Sequence, residues 1–514
     1  MHDNQNSKRI LKNTVFLYLR LLFTVVVGLY TSRVILGTLG VEDYGINNVV
    51  GGIVAMLSFF QSALIGATQR FFSFELGTGD DKRLKDVFSS SMIVLLFFAV
   101  VIVFLSETLG LWFVNTQLNI NPDRMYAANW VYQLSILTFL MSIMVVPYNS
   151  SIIAHEQMKA FAYIGILETM LKLGAVFCLK IGGFDKLIFF AVLMFVVQCI
   201  VRFCVRIYSK RNFEECDFHW IWNKEILRKL FSFSGWTILG NLGFVGRDQG
   251  GNVILNLFYG TTLNASRGVA MQVSNIINTF AHNFIMALNP QITKTYAAGD
   301  YNECKKLVYS GAKLSFFLLS IFSIPLMLNI DYVLKLWLGE VPPYTGFFVQ
   351  LSLFASLIYM TTQTVTVAIQ ATGNLMLFQI GVCVLVLSEL PFVWLLLSCG
   401  FPPYVSMIPT IVSNFILVFF RYYLLKKYAP LFHWKDYIVQ VLFRCSIVFI
   451  VCYGVGYIVV SIISGSFPWV LLNIILTLTF LLFFSYTVGL SKEERQFVVR
   501  NVKAFVEKHK GKAV

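Results

Sequence analysis

The sequence predicts an all-α polytopic membrane protein with about 14 transmembrane helices. Of its 514 residues, 57% are hydrophobic and 13% are charged, and the mean hydropathy is +0.72. Soluble domains carry about 25% charged residues, so the composition excludes a large soluble protein. A span needs roughly 20 mostly apolar residues to cross about 30 Å of hydrocarbon. The stretches of that length are 11–37, 45–72, 87–114, 126–153, 160–180, 184–208, 231–258, 263–290, 307–330, 345–370, 376–398, 402–425, 437–463 and 467–489.

The net charge of +14 is explained by membrane topology. Lysines and arginines concentrate in alternate loops, for example Lys82, Arg83 and Lys85 after the second stretch. This positive-inside bias predicts that both termini are cytoplasmic. We therefore expect the lipid bilayer, and not a nucleic acid, as the partner of the basic surface. The first apolar run is too long for a cleavable signal peptide.

Neither the cysteines nor the histidines predict a cofactor. The nine cysteines contain no CxxC pair, and the six histidines show no metal-ligand spacing, which argues against a disulfide framework and a zinc site. No Gly-x-x-x-x-Gly-Lys-Ser/Thr loop is present, so ATP hydrolysis is not expected. A H⁺ or Na⁺ gradient is then the candidate energy source.

Two parts of the chain resemble each other at an offset of 220 residues. The matched pairs include Gly40 with Gly260, Gly79 with Gly299 and Asp80 with Asp300. Six spans per half is an even number, so the halves form a parallel repeat, as transporters often do. The predicted organisation is an N-lobe (1–208, spans one to six), a cytoplasmic linker (209–230), a C-lobe (231–425, spans seven to twelve), an added pair of spans (426–490) and a cytoplasmic amphipathic tail (491–514). A capping box of Ser491 and Glu494 begins the tail.

Spans two, seven and eight carry polar faces. Asn241 and Asn252 belong to a face of span seven, Asn278 to span eight and Gln61 to span two. Polar faces lose hydrogen bonds when they point at lipid, so these amides face each other or water. One hypothesis makes them substrate ligands in a hydrated cavity. The alternative is that amides bond between helices, while glycines allow close packing.

In contrast to these neutral amides, four positively charged arginines are candidate substrate ligands. They are Arg20, Arg33, Arg247 and Arg267. Charges inside spans are costly and usually mark a cavity or a pathway. The planar donor fork of arginine suits phosphate oxygens. For Arg247 the alternative is an ion pair with Asp248, although consecutive helical residues point about 100° apart. Other arginines lie near cytoplasmic ends, where snorkelling explains them; they include Arg70, Arg202, Arg206, Arg421 and Arg444.

Two carboxylates are candidates for coupling to an ion gradient. Asp248 lies in the polar face of span seven, and Glu389 lies beside Pro391 in span eleven. Ionisable groups inside a membrane are common in proton relays and ion pathways. Glu389 is equally open to interpretation as a structural carboxyl.

Motifs around the first two spans resemble bacterial polysaccharide exporters. They are Leu36-Gly37-x-x-Gly40-x-Glu42-x-Tyr44-Gly45 after the first span and Gln69-Arg70-Phe71-Phe72 at the end of the second. These exporters are lipid-linked oligosaccharide (O-antigen) flippases of the MOP superfamily, which also contains MATE drug antiporters and lipid II flippases. The resemblance implies alternating-access export of undecaprenyl-diphosphate-linked oligosaccharides across a bacterial inner membrane for lipopolysaccharide or other surface polysaccharide. It also implies a cationic lumen and other polysaccharide-assembly proteins as partners.

In lipid II flippases, arginines of spans one, two and eight face the cavity. By position, Arg20 and Arg267 are the counterparts in this sequence, whereas Arg70 lies at the inner end of span two. A cation-coupled multidrug antiporter of the MATE type is the first rival function, and it requires an acidic and aromatic cavity. A membrane glycan polymerase or ligase is the second. The external loops are short and hold no paired carboxylate or histidine site, so we expect a transporter and not an enzyme.

Overall fold

The computed structural model describes residues 2–116, 118, 120–179, 185–338, 340–429, 431–462 and 467–496, and within these ranges the chain is helical, without a strand. The earlier helices are α1 (His2–Met56), α2 (Ser58–Thr78), α3 (Asp81–Leu105), α4 (Leu111–Thr116), α5 (Pro122–Met144), α6 (Val146–Ala154), α7 (Met158–Cys178), α8 (Lys186–Asn212), α9 (Lys224–Tyr259) and α10 (Thr261–Ala297). The later helices are α11 (Tyr301–Leu328), α12 (Ile330–Leu338), α13 (Thr345–Met360), α14 (Gln363–Thr372), α15 (Met376–Leu387), α16 (Glu389–Ser398), α17 (Ile408–Tyr428), α18 (Trp434–Tyr437), α19 (Phe443–Ile462) and α20 (Phe467–Phe484).

The length and hydropathy of the described helices support a multi-pass membrane protein. Within the described residues, nine helical segments are long and apolar enough to cross a membrane, and the number rises to eleven if two bent helix pairs each form one span. Helices α9 and α10 are not among them, although they have 36 and 37 residues. Their polar residues reduce the hydropathy of any window along them. The count of fourteen spans and the cytoplasmic termini therefore stay predictions.

The positions matched at an offset of 220 share one backbone geometry. Gly40 (φ 83°) and Gly260 (φ 75°) interrupt the helical path after the first and seventh predicted spans. Gly79 (φ 77°) and Gly299 (φ 78°) end α2 and α10 in the left-handed region, which glycine adopts without a steric penalty.

The residue after each of the later two glycines caps the next helix. The Asp80 carboxylate accepts the backbone N–H of Arg83 at 2.9 Å, and the Asp300 carboxylate accepts that of Glu303 at 3.1 Å. The equal cap geometry supports a duplication of this turn.

Two other predicted spans are interrupted at positions that the residue pairs at an offset of 220 do not include. Val145 separates α5 from α6, and two threonines separate α13 from α14 with a bend of 41°. The segments that follow end in left-handed residues, Glu156 (φ 59°) and Gly373 (φ 80°). The fourth and tenth predicted spans are thus both broken in their later part.

The chain divides into two compact units. Unit 1 comprises Met1–Leu242 with Thr293–Gly299, and unit 2 comprises Gly243–Ile292 with Asp300–Val514. The division falls inside α9 and again inside α10. The predicted lobe boundaries use the linker at 209–230 instead, and they stay a prediction.

In unit 1 a polar network joins three helices on the predicted outer side. Arg124 donates to Asp43 at 2.9 and 2.6 Å and to Asp185 at 2.6 Å. Asp185 also caps α8 by accepting backbone N–H groups of Leu187 and Ile188. Burial disfavours the charged form of Asp185, but the hydrogen bonds outweigh it and hold the pKa of Asp185 below its usual value.

The linker of unit 1 is held to α6 by a buried carboxylate on the predicted inner side. Glu215 accepts hydrogen bonds from Ser151 at 2.5 Å and from the His155 ring at 2.8 Å, and the ring stacks on Phe213. Burial raises the cost of ionising Glu215, yet these hydrogen bonds place the pKa of Glu215 below its usual value. The contact fixes the path of the chain between α8 and α9.

In unit 2 the described part of the tail is anchored by a buried ion pair. Ser491 and Glu494 form the predicted capping box, with reciprocal bonds of 2.7 and 3.3 Å. The Glu494 carboxylate also pairs with Lys313 of α11 at 2.6 Å. The rest of the predicted amphipathic tail lies outside the described residues.

Candidate functional site

In unit 2, Arg247 is balanced by carboxylates. Its Nε donates to Oδ1 of Asp248 at 2.9 Å, and its Nη1 lies 4.0 Å from Oε1 of Glu389. Its Cζ lies 5.2 Å from the centroid of the Phe244 ring. The long arginine side chain overcomes the divergence of consecutive helical residues, so the alternative interpretation of Arg247 is the one observed. A guanidinium in this setting needs no further anion.

Glu389 is the deepest acid of this group. Its side chain is 2% exposed, and its Oε2 accepts a hydrogen bond from Thr410 at 2.6 Å. Its Oε1 is buried and has no hydrogen-bond partner among the described residues. Asp248 is more open, with a side chain 34% exposed. Together with Arg247, the two acids form a charged triad on α9 and at the start of α16.

Arg267, on α10, differs sharply from Arg247. It is 6% exposed, and it makes no hydrogen bond or ion pair with any residue that the structure describes. The guanidinium lies over the backbone of Gly251, since a Cβ atom there would be 2.7 Å from Nη2. Asp248 and Glu389 act on it only at longer range. A buried guanidinium thus lacks a direct counter-charge.

Arg20, on α1 in unit 1, is a second arginine without an ion pair to a described residue. It is half-buried, with Cζ 4.5 Å from the Phe161 ring centroid. Its side chain crosses Gly165, where a Cβ atom would be 2.6 Å from Cδ. Glu168, the acid that acts electrostatically on Arg20, is already paired with Lys172 at 2.6 Å. Arg20 and Arg267 therefore share an unusual arrangement, a cation packed on a glycine of a neighbouring helix.

Three further arginines differ from Arg20, Arg247 and Arg267. The side chain of Arg33 lies outside the described residues. Arg70 stacks between Phe71 and Phe74 at 4.6 Å. Arg421 corrects the snorkelling prediction, because it is 2% exposed and therefore does not reach an aqueous surface.

Arg421 is held inside unit 2 by neighbours that position alone does not reveal. Its Nη1 donates to Thr362 at 2.7 Å, where α13 and α14 break, and its Cζ lies 4.7 Å from the Tyr359 ring centroid. Residue position near a helix end predicted an exposed charge, whereas the fold packs other helices over it.

Three of the four candidate amides, Asn241, Asn278 and Gln61, bond between helices. Asn241 donates to Ser62 at 3.0 Å and to the Phe59 carbonyl at 3.3 Å, and Asn278 donates to Ser356 at 3.1 Å. Both contacts match the alternative interpretation, in which amides hold neighbouring helices together. Asn252 is half-buried and makes no hydrogen bond to a described residue.

The fourth amide, Gln61, lies beside a cavity in unit 1. It donates to Ser142 at 3.1 Å, and Ser142 lines an open cavity of about 440 Å³. The other polar lining residues come from α1, α5 and α8 and are Asn47, Ser135, Thr138 and Gln198. No charged residue contributes to the described lining. The side chains of Asn47, Ser135 and Thr138 make no hydrogen bond to a described residue and are available to a ligand within this unit.

Comparisons with known proteins support the fold. No protein-family model and no curated protein matches the sequence. Solved structures do match: a MATE variant at TM-score 0.72 and 12% identity, over 83% of this chain and 97% of that one. The chain has the MATE transporter fold.

Two other solved structures have the same fold. One is a MOP superfamily transporter from Pyrococcus furiosus described by a binding pocket of reverse polarity, at TM-score 0.70 and 12% identity, over 82% of this chain and 96% of that one. The other is an outward-facing multidrug resistance MATE transporter of the MOP superfamily, at TM-score 0.67 and 12% identity, over 82% and 97%. The matched chains are covered almost completely, whereas part of this chain extends beyond the match.

Proposed function

We propose that this protein exports undecaprenyl-diphosphate-linked oligosaccharides across a bacterial inner membrane by alternating access. The observation that carries the proposal is Arg267, which is 6% exposed and has no ion pair or hydrogen bond among the described residues. Removing a cation from water costs several kcal/mol unless a counter-charge compensates. A diphosphate supplies that charge and matches the planar donor fork.

Arg20, in unit 1, also supports a substrate that carries a diphosphate. It also lacks an ion pair with a described residue, and Glu168, the acid that acts on it electrostatically, is occupied by Lys172. In contrast, Arg247 is neutralised by Asp248. The candidates for anion binding are therefore Arg20 within unit 1 and Arg267 within unit 2, whereas Arg247 belongs to a separate charged group of unit 2.

We also propose that a H⁺ or Na⁺ gradient acts through Asp248 and Glu389. Glu389 keeps one buried oxygen without a hydrogen bond, next to Thr410, and a proton or a small cation would satisfy it. In this proposal the whole chain has fourteen spans, cytoplasmic termini and no resident cofactor. Glu389→Gln is expected to slow export while leaving substrate binding intact.

A cation-coupled multidrug antiporter is the second candidate. The same acids favour it, because Asp248 and Glu389 both lie within 4.0 Å of the Arg247 guanidinium in unit 2, and one solved neighbour is a multidrug resistance transporter. An antiporter of this kind gives no role to the unpaired Arg267. Drug extrusion and glycan export therefore separate the two functions.

The test is export in cells of the source organism that lack the chromosomal gene. We expect Arg267→Ala to abolish surface polysaccharide and to accumulate the lipid-linked intermediate, with normal protein levels. Arg206→Ala is the matched control, since Arg206 is exposed, and it should export normally. Full export by Arg267→Ala would refute the cationic site. Ethidium resistance that is lost in Asp248→Asn, without any effect on polysaccharide, would favour the antiporter.

A further inference from the structure

The cavity of unit 1 holds polar groups that have no partner within the protein. Asn47, Ser135 and Thr138 line it and make no side-chain hydrogen bond to the residues described. The unpaired polar atoms of these three residues are not fully buried, so they reach the cavity space. Polar groups inside a membrane protein need hydrogen-bond partners. Water or a polar ligand must satisfy them.

The arrangement of these groups follows from helical periodicity. Ser135, Thr138 and Ser142 are spaced at i, i+3 and i+7 on α5, which puts their hydroxyls on one face. Asn47 and Gly51 face the same cavity from α1, and an added Cβ at Gly51 would meet no atom within 4 Å. The cavity therefore has one hydroxyl wall and one open wall that carries an amide.

The lining is neutral and part aromatic, which decides the class of ligand. The twelve lining residues include no acid and no base, but they include Phe139 and Phe190. A cationic drug or a free phosphate would find no opposite charge here. A sugar ring suits the cavity, because its hydroxyls pair with amides and hydroxyls while its C–H faces pack on aromatic rings. The volume of about 440 Å³ lies in the range of ligand pockets.

The acid Glu168 links this cavity to the region of the unpaired cation of unit 1. Gln198, which lines the cavity, donates to Glu168 at 3.2 Å. Glu168 pairs with Lys172 and is the acid that acts electrostatically on Arg20. The acid Glu168 thus lies one residue beyond the neutral wall, with the cation Lys172 paired to it and Arg20 within its electrostatic influence. A ligand with a sugar next to a diphosphate matches this order of neutral and cationic surfaces.

We infer that the cavity of unit 1 is a sugar-binding pocket, in which Asn47, Ser135 and Thr138 contact the glycan and select it. The inference rests on the proposed function, since it assigns the sugar of the same lipid-linked substrate. It also moves glycan recognition from the amides of α9 and α10 to α1 and α5. Asn241 and Asn278 are occupied by contacts between helices.

The test compares two ligands on purified full-length protein in nanodiscs. The probes are undecaprenyl diphosphate and the lipid-linked oligosaccharide extracted from the source organism. We expect wild-type protein to bind the glycan-bearing lipid more tightly. Ser135→Ala and Thr138→Val should each weaken that binding about threefold to tenfold, the effect of one hydrogen bond, with undecaprenyl diphosphate binding unchanged. Thr108→Val, outside the cavity in the same unit, should change neither.

The outcomes separate the pocket from the proposed function. Equal loss of both ligands in Thr138→Val, or no loss, overturns the sugar pocket. Equal affinity of wild-type protein for both ligands overturns the pocket and leaves the exporter standing. If wild-type protein binds neither ligand, both proposals fail. Ethidium binding that Ser135→Ala and Thr138→Val weaken would assign the cavity to an organic cation instead.

Discussion

Gly251 should control the position of the Arg267 guanidinium. A Cβ atom at residue 251 would lie 2.7 Å from Nη2 and 2.9 Å from Cζ of Arg267, well inside a normal contact of about 3.5 Å. Gly251→Ala therefore displaces the guanidinium by about 1 Å. The obstructing atoms belong to the end of a flexible side chain, so α9 itself does not have to move.

The expected effects on folding and on function have different magnitudes. Replacing a mid-helix glycine with alanine contributes about 0.5–1 kcal/mol to stability, which offsets the cost of turning the arginine. We expect the thermal unfolding midpoint to stay near the wild-type value. Losing one hydrogen bond to a charged group costs about 1.5–3 kcal/mol, so affinity for undecaprenyl diphosphate should fall about tenfold or more.

The assay is equilibrium binding of undecaprenyl diphosphate to purified protein, together with thermal unfolding. Gly268→Ala is the matched control, because it lies on the same helix as Arg267 and its Cβ would meet no atom within 4 Å. That variant should bind like wild type. If Gly251→Ala and Gly268→Ala bind equally well, Arg267 is not an anion ligand, and the reasoning fails.

Further predictions concern stability. Lys313→Met leaves the mostly buried carboxylate of Glu494 without its cation and should cost about 3 kcal/mol; adding Glu494→Gln should restore most of it, and an unchanged unfolding midpoint in the single variant would contradict this. Because the folded pKa of Glu215 is lowered, its ionised form stabilises the protein above its usual pKa, and that contribution is lost as pH falls through the folded value. Glu215→Gln should lower the unfolding midpoint at pH 7, this loss should shrink as pH falls below 4.5, the ordinary pKa of a glutamate, and a loss that does not shrink would refute the prediction. Gly77→Ala puts a Cβ 2.7 Å from a backbone oxygen of α10 and should cost about 1–3 kcal/mol, whereas Gly66→Ala, with no neighbour within 4 Å, should not.

The helical membrane fold was predictable because apolar length is a local property. The turn geometry at Gly79 and Gly299 was predictable too, since only residues that tolerate a positive φ suit a helix end of this kind. The breaks within the later part of the fourth and tenth spans were not, because Val145 carries no local signal for an interruption. Packing by neighbouring helices decides where a span bends.

The candidate arginines were found from sequence, but their partners were not. A charge inside an apolar segment is visible in one dimension, and it identified Arg20, Arg247 and Arg267. Whether an acid reaches each guanidinium depends on side-chain length and on other helices. Arg247 meets Glu389 from a distant part of the chain, and Arg421 is covered by helices that sequence position does not place beside it.

The polar cavity of unit 1 could be predicted only in part. The face that carries Gln61 was recognised, and Gln61 lies next to Ser142 in the cavity wall. The hydroxyls of α5 were not recognised, since serine and threonine in a span usually bond their own helix. Ser135 and Thr138 make no such bond among the described residues and face the cavity, an arrangement that depends on the gap between three helices.

Transport in proteoliposomes tests the central claim most directly. The measurement is the transfer of a fluorescent undecaprenyl-diphosphate oligosaccharide between leaflets, for wild-type protein and for the Arg20→Ala and Arg267→Ala variants. We predict rapid transfer by wild type, at least tenfold slower transfer by each variant, and normal transfer by Arg206→Ala. Transfer at the wild-type rate by both the Arg20→Ala and the Arg267→Ala variant, or no transfer by wild-type protein, would contradict the account.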